Sequence, residues 1–182
     1  MKELYRKLIR GKELSLEEAG KIGDTSGINS EFPIKYIIRG DQYLGSLQYR
    51  AIIQNITPIV NSKMNLVAKL DALYWIKKEQ ENNKKAQQKN IPIIKTIEIT
   101  NIYNLLERKF IQGLIMERFY GETICKLIDS KYYKRAYNLW KKEISDAKRK
   151  NIHIRDIHNE NVMFNTQTQE LVLLDLVSWE FD

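Results

Sequence analysis

No glycine follows Gly121, although the chain runs on to Asp182. Glycine lets a backbone turn through left-handed φ or pass close against another segment, so its distribution divides the chain. Gly20, Gly23 and Gly27 mark an early loop, and Gly40 and Gly45 flank a second, GDQYLGS. Around and after these loops the texture is that of strands: IKYIIR from Ile34, then LQYRAII, IPIIKTIEIT and FIQGLIMERF. NLVAKL is either a further strand or the opening of a long helix through DALYWIKKEQENNKKAQQ, since Leu66, Leu70 and Leu73 share one helical face. Ahead of all this, residues 1–20 alternate charged and apolar positions at helical spacing, with Ser15-Leu16-Glu17-Glu18 reading as a capping box.

Past Gly121 the texture becomes helical. ICKLI and YYKRAYNLWKKEISDAKRK place Tyr133, Tyr137, Trp140 and Ile144 on one face, with the basic residues on the solvated side. IHI, NVMFN and ELVLLDLV then read as short strands, the last two joined at TQTQ. The order is a strand-rich first half with at least one helix, a long helix, and a closing hairpin, which is an α+β class.

Charge separates the same regions. Residues 131–150 hold eight basic and two acidic side chains, whereas residues 151–182 hold Arg155 alone against six carboxylates. A uniformly basic nucleic-acid binder would not end this way, so no nucleic-acid partner is expected. With 43% hydrophobic residues the chain can build a core, and no run approaches the roughly 20 apolar residues of a membrane span. The N-terminus lacks the apolar stretch of a secretory signal. Cys125 is the only cysteine, which excludes an intrachain disulfide and a cysteine-based metal site. A cytoplasmic chain, or one delivered into a host cytosol, is expected, and a monomer.

The acidic end carries the densest chemistry. In NIHIRDIHNENVMFNTQTQELVLLDL, Asp156 precedes Asn161 by five residues, and a strand–turn–strand returns Asp175 to a strand end. Asn161 and Asp175 offer hard oxygens of the kind Mg²⁺ takes alongside water and phosphate. Asp156 is then left to accept a proton or orient a hydroxyl. Taken singly, each of the three is an ordinary turn residue; as a set in this strand context they point to a site. His153 reads as a strand-edge residue, while His158 is either structural or placed near a transferred group.

RDIHNENVMF followed by ELVLLDL resembles the catalytic loop and metal-binding segment of the protein kinase-like fold. By that resemblance Asp156 is the catalytic Asp, and Asn161 and Asp175 are the metal ligands. Arg155 matches the Arg of the HRD triplet, Ile154 replaces its His, and Leu176-Val177 replace the Phe-Gly that follows the metal Asp. GLIMERFYGETI is similar to the last N-lobe strand and hinge, which implies Met116 as gatekeeper, Glu117 and Phe119 as backbone contacts to adenine, and Glu122 toward ribose. VAKL looks like the strand with the phosphate-binding lysine, Lys69; Lys35 is its rival, a solvated strand lysine is the plain alternative, and Glu79 or Glu81 is the helix carboxylate. Gly40 and Gly45 would cover the phosphates.

The resemblance thus implies a two-lobe fold with a strand-rich lobe over 1–117 and a truncated lobe over 118–182. It implies ATP and Mg²⁺ as cofactors and a protein Ser/Thr hydroxyl, a host protein's among the candidates, as acceptor. Because the sequence ends seven residues past Asp175, the likeness is to the minimal, effector-type bacterial Ser/Thr kinases, without activation segment or substrate platform. The same string resembles small-molecule phosphotransferases of the aminoglycoside and choline type. A non-catalytic pseudokinase or docking module is the other alternative.

Overall fold

In a computed structural model, the described residues are 66–104, 106–107 and 109–182, together with 56–59, 36–38 and the single positions 15, 18 and 21. The expected loops with Gly40 and Gly45, Lys35, and the strand LQYRAII lie outside them. The capping box is formed: the Ser15 amide donates to Glu18 Oε2 at 3.2 Å, and the Glu18 amide donates to Ser15 Oγ at 3.1 Å. Among the described residues no helix is long and apolar enough to cross a membrane.

The chain is α+β and divides into two compact units. The first runs to Leu73 and resumes over Ile97–Glu117; the second comprises Tyr74–Thr96 and Arg118–Asp182. The first unit holds a five-stranded mixed sheet of β1 (Ile37–Ile38), β2 (Ile56–Pro58), β3 (Leu66–Lys69), β4 (Thr96–Asn104) and β5 (Lys109–Glu117), in the order β1-β4-β5-β3-β2. β1 runs parallel to β4, whereas β3 is antiparallel to both β2 and β5, with Val67 opposite Met116 and Lys69 opposite Leu114. All four β3 residues are buried. Ile38, Leu66, Ala68, Ile102 and Ile115 are among the residues of this unit's core.

The ambiguity of NLVAKL resolves into both forms in succession. Leu66–Lys69 is strand, and helix α1 begins at Leu73 and ends at Gln88. IPIIKTIEIT divides as well: strand starts only at Thr96. The preceding residues instead pack within the second unit, where the Leu173 amide donates to Pro92 O at 2.8 Å and Ile93 bridges to Leu173.

The second unit contains α1, the short strand β6 (Glu122–Thr123), a 3₁₀ turn over Ile124–Leu127, and helix α2 (Tyr133–Arg149). Strands β7 (Ile152–His153), β8 (Val162–Phe164), β9 (Leu171–Leu173) and β10 (Glu180–Phe181) complete it. β8 and β9 form the expected hairpin and β6 adds to its edge; β10 pairs antiparallel with β7. Along α2 the expected face is half-buried at Tyr133, Tyr137, Trp140 and Ile144, and all eight basic residues of 131–150 are exposed.

Gly121 is fixed by lack of space. A Cβ there would lie 2.7 Å from the Phe164 carbonyl oxygen and 2.6 Å from Phe119 Cε1, so β8 approaches a backbone that only glycine provides. Beyond it, with no glycine left, the left-handed positions fall on Asn151, Asp156, Gln169 and Asp175, whose φ values run from 52 to 61°.

Glu143 on α2 borders a cavity of about 470 Å³ with Pro92, Phe119, Leu171 and Val172. Burial raises its pKa above the ordinary 4.5, Asp146 adds to the rise, and Lys142 and Lys150 oppose it. The folded chain therefore holds this proton to higher pH than the unfolded chain, and stability falls as pH climbs through that window. Glu143→Gln is expected to raise the melting temperature at pH 7. The gain should disappear below pH 4.5, where the native carboxyl is itself neutral; thermal unfolding measured across that range checks both signs.

Candidate functional site

Asp156, Asn161 and Asp175 all belong to the second unit. Three hydrogen bonds lace their loops together. Asn161 Nδ2 donates to the Asp156 carbonyl at 3.0 Å. The Leu174 amide donates to the Asn161 carbonyl at 2.8 Å, directly before Asp175. Ser178 Oγ, in the 3₁₀ turn Leu176–Ser178 that follows Asp175, donates to the Arg155 carbonyl at 2.9 Å. The hairpin supplies the framework, since Val162 lies opposite Leu173.

Asp156 and Asp175 both adopt left-handed backbone, with φ of 52° and 53°. Aspartate is among the few non-glycine residues that adopt this region readily, so these two positions turn the chain where no glycine is present. The Asp156 side chain is 66% exposed, and its Oδ1 lies 4.0 Å from His158 Nε2. His158 Nδ1 stands 3.9 Å from Glu160, so its ring lies between two carboxylates. Asp175 is half-buried.

Asn161 differs from both aspartates. It is 1% exposed, and while Nδ2 is used, Oδ1 is sealed from solvent with no hydrogen-bond partner. Leaving a buried acceptor unmet costs about 1–3 kcal/mol. The turn-capping reading accounts for the nitrogen but not for the oxygen. A hard cation held by Asn161 Oδ1 and the Asp175 carboxylate would meet it, and the donor set fits Mg²⁺. Among the described residues no three His, Cys, Asp or Glu side chains cluster to hold an ion by themselves. An ion here would depend on the amide oxygen and on ligands such as phosphate and water.

The remaining expected residues are distributed over both units. Lys69, at the end of β3 in the first unit, is 1% exposed, which removes the solvated-strand alternative; lysine is rarely buried without a compensating group. Of the two helix carboxylates, Glu79 is buried and Glu81 is exposed. Glu117 closes β5 opposite Leu66, Met116 is buried, and Glu122 is exposed. The Phe119 side chain lines the cavity beside Glu143. His153 sits on β7, as a strand-edge residue should, with Nε2 2.9 Å from Asp182 Oδ2. Arg155 is bound to Glu180 at 3.0 Å, and both are more than half exposed, a pairing worth at most about 1 kcal/mol.

Two residues of this neighbourhood carry no signal in the sequence. Asn82 on α1 is buried, and its Nδ2 donates to the Leu176 carbonyl at 2.6 Å and the Trp179 carbonyl at 3.0 Å. It therefore grips both ends of the turn after Asp175. Trp179, 2% exposed, anchors that turn in the core.

Compared with protein-family models and with curated proteins, the chain matches none.

Proposed function

We propose that the chain is a minimal kinase-type phosphotransferase that moves the γ-phosphoryl group of ATP to a hydroxyl, with a protein Ser/Thr side chain as the acceptor. The observation that carries this reading is Asn161. Its amide nitrogen is locked to the Asp156 backbone, its carbonyl oxygen is buried and unmet, and its own backbone is bonded to the residue before Asp175. That arrangement prepares a cation ligand beside a carboxylate and leaves Asp156 exposed.

In the proposed reaction the exposed Asp156 carboxylate orients the acceptor hydroxyl and takes its proton as the oxygen–phosphorus bond forms. The bond from the γ-phosphorus to the bridging oxygen breaks, and ADP leaves with that oxygen. Asn161 and Asp175 would hold Mg²⁺, which when bound neutralises charge on the β- and γ-phosphate oxygens. Lys69 is the proposed cation for the α- and β-phosphates, and Glu79 rather than Glu81 is the helix carboxylate, because only Glu79 is withdrawn from water. Phosphoryl transfer asks little covalent work of a protein, so positioning and charge do most of it.

The test is transfer from γ-labelled ATP with Mg²⁺ in a cell lysate, with Asp156→Ala in parallel. Discrete labelled protein bands that vanish in the variant are the expected result. Label confined to small molecules would instead assign the chain to small-molecule phosphotransfer. Nucleotide binding without transfer to any acceptor would make it a non-catalytic scaffold.

A further inference from the structure

The cavity of about 470 Å³ beside Glu143 lies wholly within the second unit, and its walls are apolar: Pro92, Phe119, Leu139, Leu171 and Val172. That volume and lining suit a small molecule. None of Asp156, Asn161 and Asp175 lines it, so it is separate from the residues assigned to phosphoryl transfer. Its polar groups are one-sided. Among the described residues, the charged side chains in the lining are the carboxylates of Glu143 and Glu170, joined by the Gln169 amide. Glu170 Oε2 accepts from Thr168 Oγ1 at 2.9 Å, whereas Gln169 Oε1 is sealed from solvent with no hydrogen-bond partner. Gln169 closes the β8–β9 turn in left-handed backbone, with φ of 61° and its amide donating to the Asn165 carbonyl at 2.8 Å. Glycine or asparagine serves such a position best; what glutamine adds is an amide at the cavity wall.

We infer that this cavity binds a small organic amine, an aromatic ring system carrying one ammonium group, with the ring against the apolar walls and the ammonium at Glu143. Such binding stands whether or not the chain transfers phosphate. The charge of Glu143 decides the ligand class. Burial disfavours that charge and Asp146 opposes it further; Lys142 and Lys150 offset part of the cost, but both are exposed and neither lines the cavity. A neutral ring would dry the site and leave the carboxylate less well solvated still. An anionic ligand would meet two carboxylates. An ammonium carries only donors, so it supplies the opposite charge to Glu143 and offers hydrogen bonds to acceptors such as Gln169 Oε1, while its ring covers apolar wall.

The experiment is calorimetric titration of the full chain at pH 7 with tryptamine, and with two relatives that keep its indole and two-carbon arm: the neutral indole-3-ethanol and the anionic indole-3-propionate. Saturable one-site binding of tryptamine is expected, with indole-3-ethanol about tenfold weaker or more and indole-3-propionate weaker again. Glu143→Gln keeps the shape, removes the charge and should cost tryptamine about tenfold or more, while leaving indole-3-ethanol within about threefold. Gln169→Gly suits the left-handed backbone and should weaken tryptamine by about threefold or more. Asp129→Asn removes an exposed carboxylate of the same unit outside the lining and should leave binding within about twofold. Unfolding curves verify that each variant is folded, Glu143→Gln melting no lower than the wild type. No saturable tryptamine binding, equal affinity for the three indoles, or a loss in Glu143→Gln no larger than in Asp129→Asn would each overturn the assignment.

Discussion

Asp175→Asn is expected to lower phosphoryl transfer by about 10²–10⁴-fold. Asparagine has the same shape and tolerates left-handed backbone as well as aspartate does, so the φ of 53° at this position is kept. What the substitution removes is one negative charge. Charge stabilisation by a bound metal is worth several kcal/mol in a transition state, and each 1.36 kcal/mol is a factor of ten. Two readings separate this effect from a folding defect: the initial rate of transfer, and the Mg²⁺-dependent rise in melting temperature with a non-hydrolysable ATP analogue. Both should fall together, and the ligand-free melting temperature measures any change of stability separately. A variant that turns over at the wild-type rate removes Asp175 from the site, and with it the role assigned to Asn161 Oδ1.

The parts of this fold that can be read from the residues are those set by short-range pattern. The hairpin around TQTQ follows from two apolar runs separated by turn residues, and Asn165 Oδ1 closes that turn by accepting from the amides of Gln167 and Thr168. The long helix α2 follows from its aromatic spacing, and the Ser15–Glu18 box from its two side chains. Asp156, Asn161 and Asp175 were identifiable as a set for the same reason, because loop and hairpin fix their separations. The bond from the Leu174 amide to the Asn161 carbonyl continues the hairpin register, whereas the bond from Asn161 Nδ2 to the Asp156 carbonyl closes the loop before it.

What could not be read is burial that runs against residue type. The inner face of α1 is Ile76, Glu79, Asn82, Asn83 and Ala86. Three of those five are polar, and in a stretch as rich in Lys, Glu, Asn and Gln as this one they pass for solvated residues. Lys69 passes for a strand-edge cation in the same way. IPIIK misleads in the opposite sense. Its apolar run has strand texture, yet Ile91 and Ile94 are buried outside any strand, and the Pro92 carbonyl serves β9. Both failures come from tertiary contacts between segments far apart in sequence, which no local window contains.

Asn82 puts the hidden polar face to a measurement. Asn82→Ala is expected to destabilise the chain by about 1–3 kcal/mol, the cost of leaving the buried Trp179 carbonyl unmet, while the Leu176 carbonyl keeps the Trp179 amide as a donor. For a chain of this size that corresponds to a fall in melting temperature of roughly 2–12 °C. Asn82→Asp keeps the shape but turns the donor into an acceptor facing the Leu176 and Trp179 carbonyls. It should destabilise at least as much at pH 7 and recover partly in acid, because a protonated carboxyl can donate once more. The neighbouring Asn83 is the control. It is also buried, but its Nδ2 donates within α1 to the Glu79 carbonyl, which the helix's own backbone ladder already serves. Asn83→Ala should therefore cost less than about 1 kcal/mol, helped by the better helix propensity of alanine. If the two alanine variants melt together, burial rather than the grip on the turn after Asp175 sets the cost. The link from α1 to Asp175 would then be incidental.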